Sequence, residues 1–83
     1  MDAVTREHAR VLTIRAKTVK DAIEAVRVAR AEEDACVEES AERRRARGRR
    51  DHADLAEYHA LRDYFTEGEA LRESIESRAG ASR

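Results

Sequence analysis

Leu12, Val19 and Val26 recur every seven residues through the first half of the chain. Ala9, Ala16, Ile23 and Val37 form a second row at the same spacing, interrupted by Arg30. Rows offset by three or four residues lie side by side on a helix, so together they predict one apolar stripe. The second half carries a stripe of its own: Leu55, Tyr58, Leu61, Tyr64 or Phe65, Gly68, Leu71 and Ile75. Between the two stripes stands Gly48. Arg43 to Arg47 before it would put cations at a helix C-terminus, and Asp51 after it is a good N-cap, both in accord with the helix dipole. The pattern predicts a helix over about 2–47, a turn near 48–50, a second helix over about 51–79 and a short tail at 80–83. Thr18 and Thr66 each precede an acid by three residues, as in a capping box. Neither follows Gly or Pro, so the reading keeps both helices continuous.

Folding back at Gly48 makes the numbers of facing residues add to roughly 98. Ile75 is then opposite Ile23, Leu71 near Val26 and Leu61 near Val37. The shorter second arm leaves residues 2–18 uncovered, about 25 Å of helix at 1.5 Å per residue. This overhang carries Val4, Val11, Leu12 and Ile14, which points to a partner surface.

Composition narrows the fold class to all-α. Ala, Glu, Lys, Leu and Arg supply 49 of the 83 residues, there is no proline, and Gly occurs only at 48, 68 and 80. Sixteen residues are alanine, whereas Val, Ile, Leu and Phe number fourteen. So thin a core rarely contributes more than ~3–5 kcal/mol by itself. The expected architecture is an antiparallel helical hairpin or coiled coil completed as a helical bundle by self-association, with a C2 dimer the first choice.

Charge is segregated along the chain. Residues 31–42 hold six acids and no base, and residues 43–50 hold six arginines and no acid. Arg43, Arg44, Arg45, Arg47, Arg49 and Arg50 therefore form a candidate contact for nucleic acid or an acidic partner. Against nucleic acid, 17 bases balance 18 acids overall, and binding domains of that kind tend to be basic.

Candidate chemistry is sparse. His52 and His59 stand seven apart rather than the four of a helical zinc pair, and His8 is distant. Cys36 is alone, so no disulfide is expected, and it reads as a small core or flank residue. Tyr58, Tyr64 and Phe65 fall on the apolar stripe and are expected to pack rather than stack on bases. No catalytic, metal or cofactor residues are assigned. The chain lacks the ~18 consecutive apolar residues of a membrane span. Its opening MDAVTREHAR lacks the basic and apolar regions of a secretory signal, so the expected location is the cytoplasm.

These observations point to a small non-enzymatic interaction or assembly protein that self-associates and binds a larger protein partner. Leu12, Val19, Ile23, Val26, Leu61, Phe65, Leu71 and Ile75 are the candidates for core and interface, with Val4, Val11 and Ile14 for further contact. The alternatives are a nucleic-acid-binding regulator using residues 43–50, and a protein inhibitor or antitoxin-like binder.

Overall fold

The computed structural model describes residues 2–36 and 40–81. It contains two helices, α1 (Ala3–Asp34) and α2 (Ala41–Ala81), packed antiparallel as a hairpin of 65 × 13 × 12 Å. The expected all-α hairpin is correct. The position of its turn is not.

Chain reversal falls between Ala35 and Ser40, not at Gly48. At the start of α1, the Asp2 carboxylate accepts the Thr5 N–H at 2.7 Å. At its end, the Ala35 N–H reaches the Ala31 carbonyl at 3.0 Å. The Ser40 hydroxyl then accepts the Arg43 N–H at 3.2 Å, capping the start of α2. Gly48 lies inside α2 without positive φ, and a side chain placed there would meet nothing within 4 Å.

Opposite charges bridge this turn. Glu32, Glu33 and Asp34 crowd the C-terminus of α1, and Arg43 to Arg45 crowd the N-terminus of α2, each against its own helix dipole. Reversing the chain between the two runs sets the acidic end of α1 beside the arginine-rich start of α2. Arg47 and Arg50 reach Glu33 at 3.4 and 3.1 Å, and Arg49 reaches Glu32 at 3.3 Å. Arg43 donates to the Cys36 carbonyl at 3.0 Å, just past the end of α1.

Moving the turn shifts the register along the whole hairpin. Asp2 pairs with Arg78 at 2.9 Å and Glu33 with Arg47, so facing numbers add to 80 rather than 98. Residues 2–18 consequently form no overhang: Thr5 bonds Ser74 at 2.7 Å, and His8 bonds Glu67 at 2.7 Å. Leu12 lies 4.0 Å from a Cβ built on Gly68. Ile23 does not meet Ile75, and Leu71 does not meet Val26. Val37, placed opposite Leu61 by the sequence reading, lies outside the described residues.

Both helices run unbroken through the two threonines. The Thr18 hydroxyl donates to the Ile14 carbonyl at 3.2 Å, within the helix, and Thr66 sits inside α2.

The seam itself is narrow. From α1 it takes Thr5, Leu12, Val19, Val26 and Glu33 at seven-residue spacing, with Ala22 and Ala29 beside them. From α2 it takes Ala46, Ala53, Ala60, Glu67 and Ser74, with Tyr64 and Leu71 beside them. Among the described residues the buried apolar side chains are Val26, Ala29, Ala46 and Ala60, and no large side chain is fully buried. Small residues let the helices approach closely but bury little area, so each contributes little hydrophobic free energy. Polar contacts close both ends: Thr5–Ser74 and His8–Glu67 at the open end, and Glu33 with its arginines at the turn. Polar residues at seam positions disfavour slipped pairings, in which they would lose their partners.

Candidate interaction surface

The hairpin uses one of the two apolar rows of α1 and leaves the other outside. Leu12, Val19 and Val26 face α2. Ala9, Ala16 and Ile23, four residues ahead in phase, follow one edge of the hairpin between Asp2 and Arg30. On α2 the matching edge is Asp54, Leu61, Gly68 and Ile75, again every seven residues, with Tyr58 and Phe65 beside it. The two edges meet in register. Arg30 contacts Asp54 at 3.5 Å, Ala16 and Ile23 share an open groove with Leu61 and Phe65, and Ile75 borders Asp2.

The outcome is an apolar face bounded by charge at each end. Ile23 is 52% exposed, Tyr58 60% and Phe65 64%, and Ile75 is about half exposed. Ala16, Val19, Lys20, Ile23, Leu61, Tyr64 and Phe65 line its central depression, about 370 Å³ in volume. Tyr64 and Phe65 touch edge to face with ring centroids 5.7 Å apart. Isolated exposed apolar residues need no explanation, but a cluster such as Ile23, Leu61 and Phe65 around one groove marks a contact surface.

The sequence candidates divide accordingly. Leu12, Val19 and Leu71 are half-buried and Val26 buried in the seam, so these four hold the hairpin together. Ile23, Leu61 and Phe65 gather around one groove, and Ile75 lies farther along the same edge beside Asp2. Val4, Val11 and Ile14 lie on other parts of α1: Val4 and Ile14 are exposed, Val11 half-buried. They form no overhang, because α2 runs alongside them. Tyr58 and Phe65, expected to pack within the chain, are exposed instead. The seam alanines Ala46, Ala53 and Ala60 were missed altogether. Their seven-residue spacing was present in the sequence, hidden because alanine does not stand out as apolar in so alanine-rich a chain.

A second groove of about 900 Å³ lies on the other side, where Val28 and Ala25 face Gly48 and His52 between charged margins. Val28 is five residues from Ile23, which turns it through roughly 140° on the helix.

The arginine cluster is drawn into the fold rather than held out as a tip. Arg43, Arg47, Arg49 and Arg50 all bond groups of this chain. Glu33, at the centre of that set, is only 7% exposed. Hydrogen bonding to Asp51, with Glu33, Asp51 and Asp54 nearby, raises the pKa of Arg50 further. Arg44 and Arg45 are exposed.

Several other titratable groups are likewise engaged in structure. Hydrogen bonds from the Thr5 N–H and hydroxyl, with Arg78 close by, hold Asp2 below the ordinary carboxylate range. Glu7 and Glu24 are lowered by hydrogen bonds from Arg10 and Arg27. His8 is bonded to Glu67, while His52 and His59 are exposed. Among the described residues no group of three His, Cys, Asp or Glu side chains is arranged to hold a metal ion. Neither is any helix long and apolar enough to cross a membrane.

No family model matches the chain, and no curated protein or solved structure is significantly similar to it.

Proposed function

We propose that this protein is a non-enzymatic helical assembly protein whose working surface is the apolar face of Ile23, Leu61, Phe65 and Ile75. The observation that carries the proposal is the exposure of Ile23 and Phe65 on one face, beside a seam that buries no large side chain completely. A chain whose intramolecular core is mostly alanine gains little from folding alone. Covering the outer face adds the large-side-chain burial that the seam lacks. The protein acts by contact rather than by catalysis. Its closely placed acids and bases are engaged with one another, as in Glu33 with Arg47 and Arg50 and in Asp2 with Arg78.

The nucleic-acid reading draws less support, since four of the six clustered arginines are engaged within the hairpin. A role for Arg44 and Arg45 predicts salt-sensitive retention on RNA or DNA that is lost when both become Gln.

The proposal is tested by changing Ile23 and Phe65 together to Gln. Both side chains are more than half exposed, so the hairpin should keep its helicity while the assembled mass falls to that of one chain. Unchanged mass in the double variant would overturn the assignment of this face.

A further inference from the structure

Resting on that reading, we infer that the partner covering the apolar face is a second copy of this chain. The two copies are related by a two-fold axis running along the helices, so that both turns lie at the same end. Two observations carry this. The first is area. The chain exposes 6286 Å², against roughly 5,000 Å² for a compact folded chain of this mass. The difference exceeds the ~800 Å² per partner of an ordinary stable interface. A hairpin 65 Å long and 13 Å wide offers a face of that order.

The second is charge. Between Arg6 and Arg30, α1 carries seven bases and three acids; between Asp51 and Ser74, α2 carries two bases and seven acids. At the turn the signs reverse, with Glu32 to Asp34 on α1 beside the arginines of α2. An axis along the helices places each α1 over the partner's α2 at the same level. Arg27 and Arg30 then lie over an Asp51 and Asp54, and Asp34 over an Arg44 and Arg47. Over most of the length the basic stretch of α1 thus meets the acidic stretch of the partner's α2, although single like-charged pairs such as Glu7 and Glu73 fall at the same level. An axis across the helices stacks α1 on α1 and brings the basic stretch around Lys20 onto itself. Complementary charge fixes orientation more than it adds affinity, so the apolar face holds the copies together and the charges choose between the two arrangements.

The experiment is a pair of spin-label distances on the full chain, with mass by light scattering on the same samples. One label is placed on the native Cys36, half-buried beside the turn. A second sample carries Ala41→Cys in a Cys36→Ser background, at an exposed position, in case labelling Cys36 disturbs the turn. A third carries Arg6→Cys with Cys36→Ser, to report on the open end. The inference predicts a dimer with copy-to-copy distances of about 20–35 Å at both ends, two helix diameters plus the labels. An axis across the middle of the apolar face would put the turns about 60 Å apart. A dimer with a long distance at either end overturns the orientation and leaves the assembly reading standing. A single-chain mass at every concentration overturns both. A mass above two copies also overturns the inference, because this two-fold closes at two.

Discussion

Replacing Gly48 with Ala separates the observed fold from the alternative in which the chain turns at that residue. Gly48 sits eight residues into α2, is exposed, and has no positive φ. The added methyl meets nothing within 4 Å, so neither strain nor new packing corrects the intrinsic preference. That preference is about 0.8–1.0 kcal/mol in favour of Ala inside a helix. For a domain of this size it corresponds to a rise in Tm of roughly 4–8 °C. The assay is thermal and urea unfolding followed by far-UV circular dichroism. Both proteins must be compared at one concentration, because self-association makes stability concentration-dependent. Were Gly48 instead the left-handed residue closing a helix, Ala would strain the turn and destabilise the fold. A fall in Tm for Gly48→Ala would refute the placement of the turn and with it the register built upon it.

Two further outcomes follow from the seam and the caps. Ala46, 1% exposed, has no room for a larger side chain, so Ala46→Leu should cost roughly 1–3 kcal/mol by overpacking. Ala56→Leu, on an exposed part of the same helix, should be close to neutral, as urea midpoints of the two variants would show. Stability should also fall in acid. Asp2, Glu7 and Glu24 have folded-state pKa values below their ordinary ones. Their contribution is therefore fully present above the ordinary carboxylate range and is lost as pH drops through the lowered values. Unfolding midpoints between neutral pH and about pH 3 should decline, and Asp2→Ala should flatten part of that decline. A profile unchanged by Asp2→Ala would contradict the capping role of Asp2.

The helical class was legible because composition and period agreed: no proline, abundant alanine and arginine, and apolar rows at seven-residue spacing. The turn was not legible, because its usual signs stood elsewhere. Gly48, the clustered arginines and Asp51 reproduce the signature of a helix end, yet α2 passes through all of them. At the true reversal both helix ends carry charge of the wrong sign for their dipoles. Besides the Ser40 cap, they are held by each other across the turn, through Glu32, Glu33, Arg47, Arg49 and Arg50. A rule applied to one helix at a time cannot register that compensation, although the change from acid to base around Ser40 was its trace.

The apolar pattern was also divided differently from the sequence reading. The spacing makes the rows of α1 one stripe, but the narrow alanine seam of α2 accommodates only the row of Leu12, Val19 and Val26. The row through Ile23 is left outside. Large side chains attracted notice in the sequence, whereas the buried residues of α2 were small. Ile23, Leu61, Phe65 and Ile75 stood among the same candidates as Leu71 and Val26, and only the register of the hairpin separates the outer set from the inner one.

The most direct test of the assembly face is the mass of the unmodified chain by sedimentation equilibrium over a wide dilution series at low and moderate salt. A dimer held by this face gives twice the 9.4 kDa chain mass at high concentration and dissociates on dilution together with a falling Tm. A mass of one chain throughout, with a Tm independent of concentration, would contradict it.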